Sequence, residues 1–156
     1  MKDVIDLCST DSAAKAAFRR AFSPALEYQC WAALIRLGVA IDKPWERQAF
    51  TAIGAMVADA GLDKDGSVPM MKALADAYRG NPGPAEMRVR RLLNCTSTEE
   101  LCRLLRPIHR LLLSKSQNSV NYARLLRDLL LFGLNAEQIK IQWAVEFFGN
   151  REEHKK

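Results

Sequence analysis

The stretch Val120–Phe132, VNYARLLRDLLLF, constrains the fold more than any other part of the chain. Wound as a helix, it is covered by leucines, an alanine and Phe132 over most of its circumference, with Asn121, Arg124, Arg127 and Asp128 left as a thin polar seam. A helix that apolar has to be buried on nearly every side. Other helices must therefore surround it, and its arginines sit at the mouth of a groove, where positive potential is focused.

The rest of the chain supplies those neighbours, because its helix punctuation is legible. Ser12–Phe22 is short and alanine-rich, with Asp11 or Ser12 as its cap. Ser23 caps a second helix with Pro24 in its first turn, running to about Leu37 with Gly38 as a left-handed exit. Its apolar positions Leu26, Cys30, Ala33, Leu34 and Leu37 follow the 3.6-residue period. Asp42 and Pro44 open a third helix, with Trp45, Ala49, Ile53, Met56 and Val57 inward and Gly61 at its end. The turn LDKDGS at Leu62–Ser67 lacks the alternating carboxylates and distal glutamate of a calcium loop. Val68–Arg79 is a fourth helix, followed by Gly80-Asn81-Pro82-Gly83-Pro84, the strongest breaker cluster in the chain.

Beyond that cluster Ala85–Cys95 is helical, and Ser97 with Glu100 forms a capping box for Thr98–Lys115. The inward face of that helix is Leu101, Leu104, Leu105, Ile108, Leu111 and Leu112, and Pro107 should kink it. Ser119 or Asn118 caps the seventh helix and Gly133 ends it. Asn135 with Gln138 caps the eighth, Ile139–Phe148, built around Trp143, and Gly149 ends that. No run of alternating apolar residues and no hairpin turn appears. The expected class is all-α, about eight helices in two small packed helical bundles. The expected division is an N-terminal helical subdomain at 1–80, a basic C-terminal helical subdomain at 85–149, and a charged tail at 150–156.

Charge supports that division. Met1–Gly80 carries ten Lys/Arg and ten Asp/Glu, whereas Asn81–Lys156 carries thirteen against eight. The whole excess of +5 thus lies in the second half and bears on partners rather than fold. On Thr98–Lys115, Arg103, Arg106 and Arg110 fall on one outward stripe. Their roots lie ~5 Å apart, against ~6–7 Å between phosphates of an extended strand. Arg88 and Arg91 share an edge of Met87–Cys95, with Arg90 elsewhere. An ordinary solvated face accounts for the same pattern: Arg124 and Asp128 are an i,i+4 pair, and Arg103 is in reach of Glu99 or Glu100. Periodicity alone leaves both readings open. Base stacking finds little support, since Tyr78 and Tyr122 are the only aromatic candidates and both suit a core, so sequence-indifferent phosphate contact is the better fit.

Other function classes find no footing. There is no G-x-S-x-G, H-E-x-x-H or phosphate loop, and no histidine near a nucleophile in the chain, so no catalytic residue is assigned. Cys8, Cys30, Cys95 and Cys102 form no C-x-x-C pair and His109 and His154 are the only histidines, so neither a metal nor a cofactor is expected. The longest charge-free stretches fall short of the ~18–20 apolar residues of a membrane span. The start MKDVIDLCST lacks a signal peptide's basic end and apolar core, which points to the cytoplasm.

These residues, in order, resemble the CasB family, the small subunit of the type I-E CRISPR surveillance complex Cascade. Arg88-Val89-Arg90-Arg91-Leu92-Leu93 resembles the family's arginine–leucine helix and Leu101–Leu113 the leucine/arginine helix after it. Asn121–Leu129 resembles its aromatic–Ala–x–Leu–x–x–Asp–Leu stretch, and Ile139–Phe148, with Trp143-Ala144, its closing aromatic helix. Upstream, Phe18-Arg19-Arg20-Ala21 and Ser23–Gly38 are similar to its arginine pair and aromatic helix, so the match spans Ala14–Phe148. Pro107, and Leu131–Phe132 where a tryptophan is often found, depart from the pattern. The resemblance implies a non-enzymatic subunit beside the backbone and large subunits and a second copy of itself, contacting crRNA and target DNA and helping hold the displaced strand. By position it implies phosphate contacts from Arg19, Arg20, Arg88, Arg91, Arg124 and Arg127, then Arg103, Arg106, Arg110 and Lys115. Two other readings remain: a helical adaptor for acidic partners that binds no nucleic acid, and a helix-turn-helix factor whose following helix offers no Asn or Gln to read bases.

Overall fold

The computed structural model describes residues 1–21, 23–115 and 119–149. Among them are eight α-helices, no multi-residue strand and one isolated parallel β-bridge, so the class is all-α. The chain divides into two compact units, Met1–Asp65 and Gly66 onward.

In the first unit, α1 (Lys2–Thr10) and α2 (Ser12–Arg20) pack on α4 (Pro44–Ala60). The sequence reading did not anticipate α1, although Val4, Ile5, Leu7 and Cys8 give it a buried helical stripe. Asp11 caps α2, its carboxylate accepting from the N–H groups of Ala13 and Ala14 at 3.0 Å. Gly54 lets α2 come close: a Cβ there would lie 2.4 Å from the Phe18 ring. The expected second helix is two pieces, a 3-10 turn at Pro24–Cys30 and α3 (Trp31–Arg36), and Ser23 makes no side-chain cap. Gly38 and Gly61 do take the left-handed exits, at φ 80° and 62°. Trp45 corrects the expectation of an inward ring: it is 46% exposed beside the Lys43 ammonium.

The second unit holds α5 (Met70–Ala77), α6 (Gly83–Leu93), α7 (Thr98–Ser114), α8 (Tyr122–Ala144) and a π-helical turn at Val145–Gly149. Backbone bonds tie its first residues to the entry of α8: Gly66 N–H to Val120 C=O at 3.1 Å, Val68 N–H to Ser119 C=O at 2.9 Å, and Asn121 N–H to Val68 C=O at 2.8 Å. Those bonds, and α5 packing on α7 and α8, place α5 among the basic helices. The Gly80–Pro84 cluster is the loop from α5 into α6 within this unit.

The capping box forms, with Ser97 Oγ accepting from Glu100 N–H at 3.1 Å and the Glu100 carboxylate accepting from Thr96 N–H at 3.3 Å. Of the expected α7 face, Leu101, Leu105, Ile108 and Leu112 are buried, and Leu104 and Leu111 half-buried. Pro107 does not break α7, because it faces solvent and water can serve the Arg103 carbonyl it strands. The seventh and eighth expected helices are one. α8 passes Gly133 and bends at Asn135 (φ −129°, ψ 32°), and its N-cap is Asn121 rather than Ser119. Asn118, Phe22 and the tail 150–156 lie outside the described residues.

Candidate nucleic-acid interface

The polar seam read from the sequence becomes a buried network at the start of α8. Asn121 accepts from Arg124 N–H at 3.0 Å and fixes the first turn. Asp128, only 5% exposed, accepts the indole N–H of Trp143 at 3.0 Å, a residue on the far limb of the bent α8. Arg124 does not pair with Asp128 as its i,i+4 spacing suggested. Its guanidinium donates to the Glu146 carboxylate on the π turn, with both side chains largely buried (20% and 14% exposed). These groups, with Pro69, Met70 and Leu125, line a small pocket. Burial pushes the carboxyls of Asp128 and Glu146 above their ordinary values. The Trp143 hydrogen bond and then Arg124 and Arg127 oppose this at Asp128, and Arg124 opposes it at Glu146.

The remaining arginines have different fates. In the second unit, the exposed side chains of Arg91, Arg103 and Arg110 make no hydrogen bond or ion pair with described residues. On α7, Arg103 and Arg110 stand opposite the Leu105–Leu112 face, seven residues and so ~10 Å apart. Arg106 is half-buried on the edge of that stripe. Arg127 is 62% exposed, its guanidinium 3.9 Å from the buried Asp128. Arg88 is half-buried and donates to Pro84 C=O at 3.0 Å. Arg90, set apart in the sequence reading, pairs with Glu86 at 2.9 Å and lies over the Phe148 ring. Lys115 is exposed at the end of α7, over the Tyr78 ring. In the first unit, Arg19 is 4.0 Å from Asp59, an exposed contact of little energetic weight, and Arg20 donates to Gln29 Oε1 at 3.2 Å.

The structure therefore brings Arg124 and Arg127 to one helix end and Arg103 and Arg110 to one ridge, with the charge of Arg124 offset internally. Sequence reasoning missed Glu146, Trp143 as the partner of Asp128, and the buried His109–Tyr122 hydrogen bond at 2.7 Å. Only Asn121, already in the polar seam, carried a local signal. Among the described residues no group of three His, Cys, Asp or Glu could hold a metal ion. No helix among them is long and apolar enough to cross a membrane.

Comparison with known proteins places this geometry in a family. The model of the CRISPR-associated protein Cse2 family matches residues 14–148. The fold is similar to that of a CRISPR-associated protein of the Cse2 family from Thermus thermophilus, at 25% identity, TM-score 0.76 and 95% of each chain. It is also similar to a chain of a CRISPR RNA-guided surveillance complex, at 25% identity and TM-score 0.72, covering 99% of this chain and 91% of that one. CasB from M. ruber, at 22% identity, TM-score 0.69 and coverage of 92% and 88%, shares the fold. No curated protein matches by sequence. With most of its length matched by one family model and the same helical fold in these structures, the chain belongs to the CRISPR-associated Cse2 family.

Proposed function

We propose that the protein is a non-catalytic small subunit of a crRNA-guided antiviral surveillance complex, steadying opened target DNA through sequence-independent phosphate contacts. One observation carries the reading: Arg103 and Arg110 stand on an exposed ridge with no carboxylate of the described fold to neutralise them. RNA-guided complexes leave sequence reading to base pairing, so a protein that holds strands needs charge in register and no base-reading side chains. Similarity to a chain of a CRISPR RNA-guided surveillance complex supports this reading. It makes the Cascade backbone and large subunits, a second copy of the chain, crRNA and target DNA the partners, and the cytoplasm the compartment.

The test is single-strand binding across salt. Each lost phosphate contact lowers the log–log salt slope by ~0.7, so Arg103→Gln/Arg110→Gln should flatten it by about 1.4. Between about 50 and 200 mM salt, the wild type should then lose about sevenfold more affinity than the double variant. The variant should also lower R-loop yield in a reconstituted complex. An unchanged slope with normal folding refutes the assignment.

The adaptor reading draws on a different observation, the exposed Leu134, Ile141 and Val145 of α8 and its π turn. It stands if charge reversal at Arg103 and Arg110 abolishes assembly while single-strand binding is unchanged.

A further inference from the structure

Arg124 is on the helix end nearest Arg127, yet its charge is held by Glu146. A guanidinium meets carboxylate and phosphate alike, through two N–H donors to two oxygens. Replacing the Glu146 carboxylate with a phosphodiester would exchange one monoanion for another and leave the local charge balance intact. We propose that Glu146 occupies a phosphate seat on Arg124, an internal competitor that a single strand displaces once one of its phosphates engages Arg127. The inference rests on the phosphate-contact reading above.

Three features of the fold favour displacement. First, the pair is not sealed: Arg124 and Glu146 line an open pocket with Asn121, Asp128 and Trp143, and both side chains keep some exposure. Second, Glu146 lies on the π turn Val145–Gly149, whose i→i+5 geometry is rare and concentrates at functional sites. The turn can move its carboxylate without unwinding the buried start of α8. Third, Arg127 is three residues from Arg124, about 60° around the helix and ~4.5 Å along it. A phosphate held at exposed Arg127 brings its neighbour, ~6–7 Å along the strand, to the pocket mouth. Burial and the nearby Asp128 charge both act against the ionised Glu146 that now fills the seat.

The experiment is anisotropy of a fluorescein-labelled thirty-nucleotide oligothymidylate against the full chain, at several salt concentrations. Glu146→Gln should raise affinity at about 50 mM salt about threefold to tenfold and steepen the salt slope by ~0.7, the signature of one added phosphate contact. Adding Arg124→Gln should return both to the wild-type level. Glu146→Asp keeps the charge but shortens the reach, and should give a smaller gain. It carries the test should Glu146→Gln lose helicity by circular dichroism. If the wild type binds with a salt slope and both Glu146 variants match it, the seat is overturned and the phosphate-contact function stands. If the wild type and both variants all fail to bind, both fall.

Discussion

Replacing Trp143 with Phe probes the link between the two limbs of α8. The change removes the indole N–H donated to Asp128, a carboxylate 5% exposed. A hydrogen bond to a charged group contributes about 1.5–3 kcal/mol, against about 1 kcal/mol for a neutral acceptor. With the space left by the smaller ring added, Trp143→Phe should cost about 3 kcal/mol. In an Asp128→Asn background the acceptor remains and the charge is gone, so the same change should cost about 2 kcal/mol, a coupling of about 1 kcal/mol. Urea unfolding followed by far-ultraviolet circular dichroism measures all four corners of the cycle. Costs that add to within about 0.3–0.5 kcal/mol would refute the reasoning.

The pH dependence of that cycle has a definite sign. Burial, outweighing Trp143, Arg124 and Arg127, raises the Asp128 carboxyl above its unfolded value of about 3.9. The folded state then holds the proton longer. The stability Asp128 contributes is complete below the unfolded value and is lost as pH rises through the folded value. Asp128→Asn carries no such proton, so its stability relative to wild type should improve as pH rises from acid to neutral.

Three further outcomes follow from the fold. Gly66→Ala would set a Cβ 2.1 Å from Ser119 O and 2.6 Å from Val120 O, so it should cost about 2–3 kcal/mol by opening the bonds there, whereas Gly80→Ala, with open space around it, should be nearly neutral in urea unfolding. Pro107→Ala restores a backbone donor on the solvent side of α7 and should stabilise by about 1–3 kcal/mol; a loss of stability would show that packing depends on the proline. Cys102 is half-buried, whereas Cys8, Cys30 and Cys95 are buried with thiols pushed up by burial; alkylation read by mass should show Cys102 reacting first, and equal rates at Cys95 would contradict the packing.

Local chemistry alone determined a large part of this protein. The Ser97–Glu100 box, the Asp11 cap, the left-handed exits at Gly38 and Gly61, and the leucine face of α7 each depend on residues within about four positions. That is the range over which a helix is self-specifying. The outward stripe of Arg103 and Arg110 was legible for the same reason. The tertiary structure alone decided what periodicity cannot encode: which flank of a helix meets a neighbour, and at what depth. Trp45 has the spacing of a core residue but opens to solvent, and the helices expected on either side of Asn135 run on as one bent rod. Arg124 and Asp128 are ideally spaced for each other, yet each takes a partner from far along the chain, Glu146 and Trp143. In a buried site, the nearest polar group across the packed interface outcompetes the nearest one along the helix. The bend in α8 and the π turn bring those two partners to its first turns.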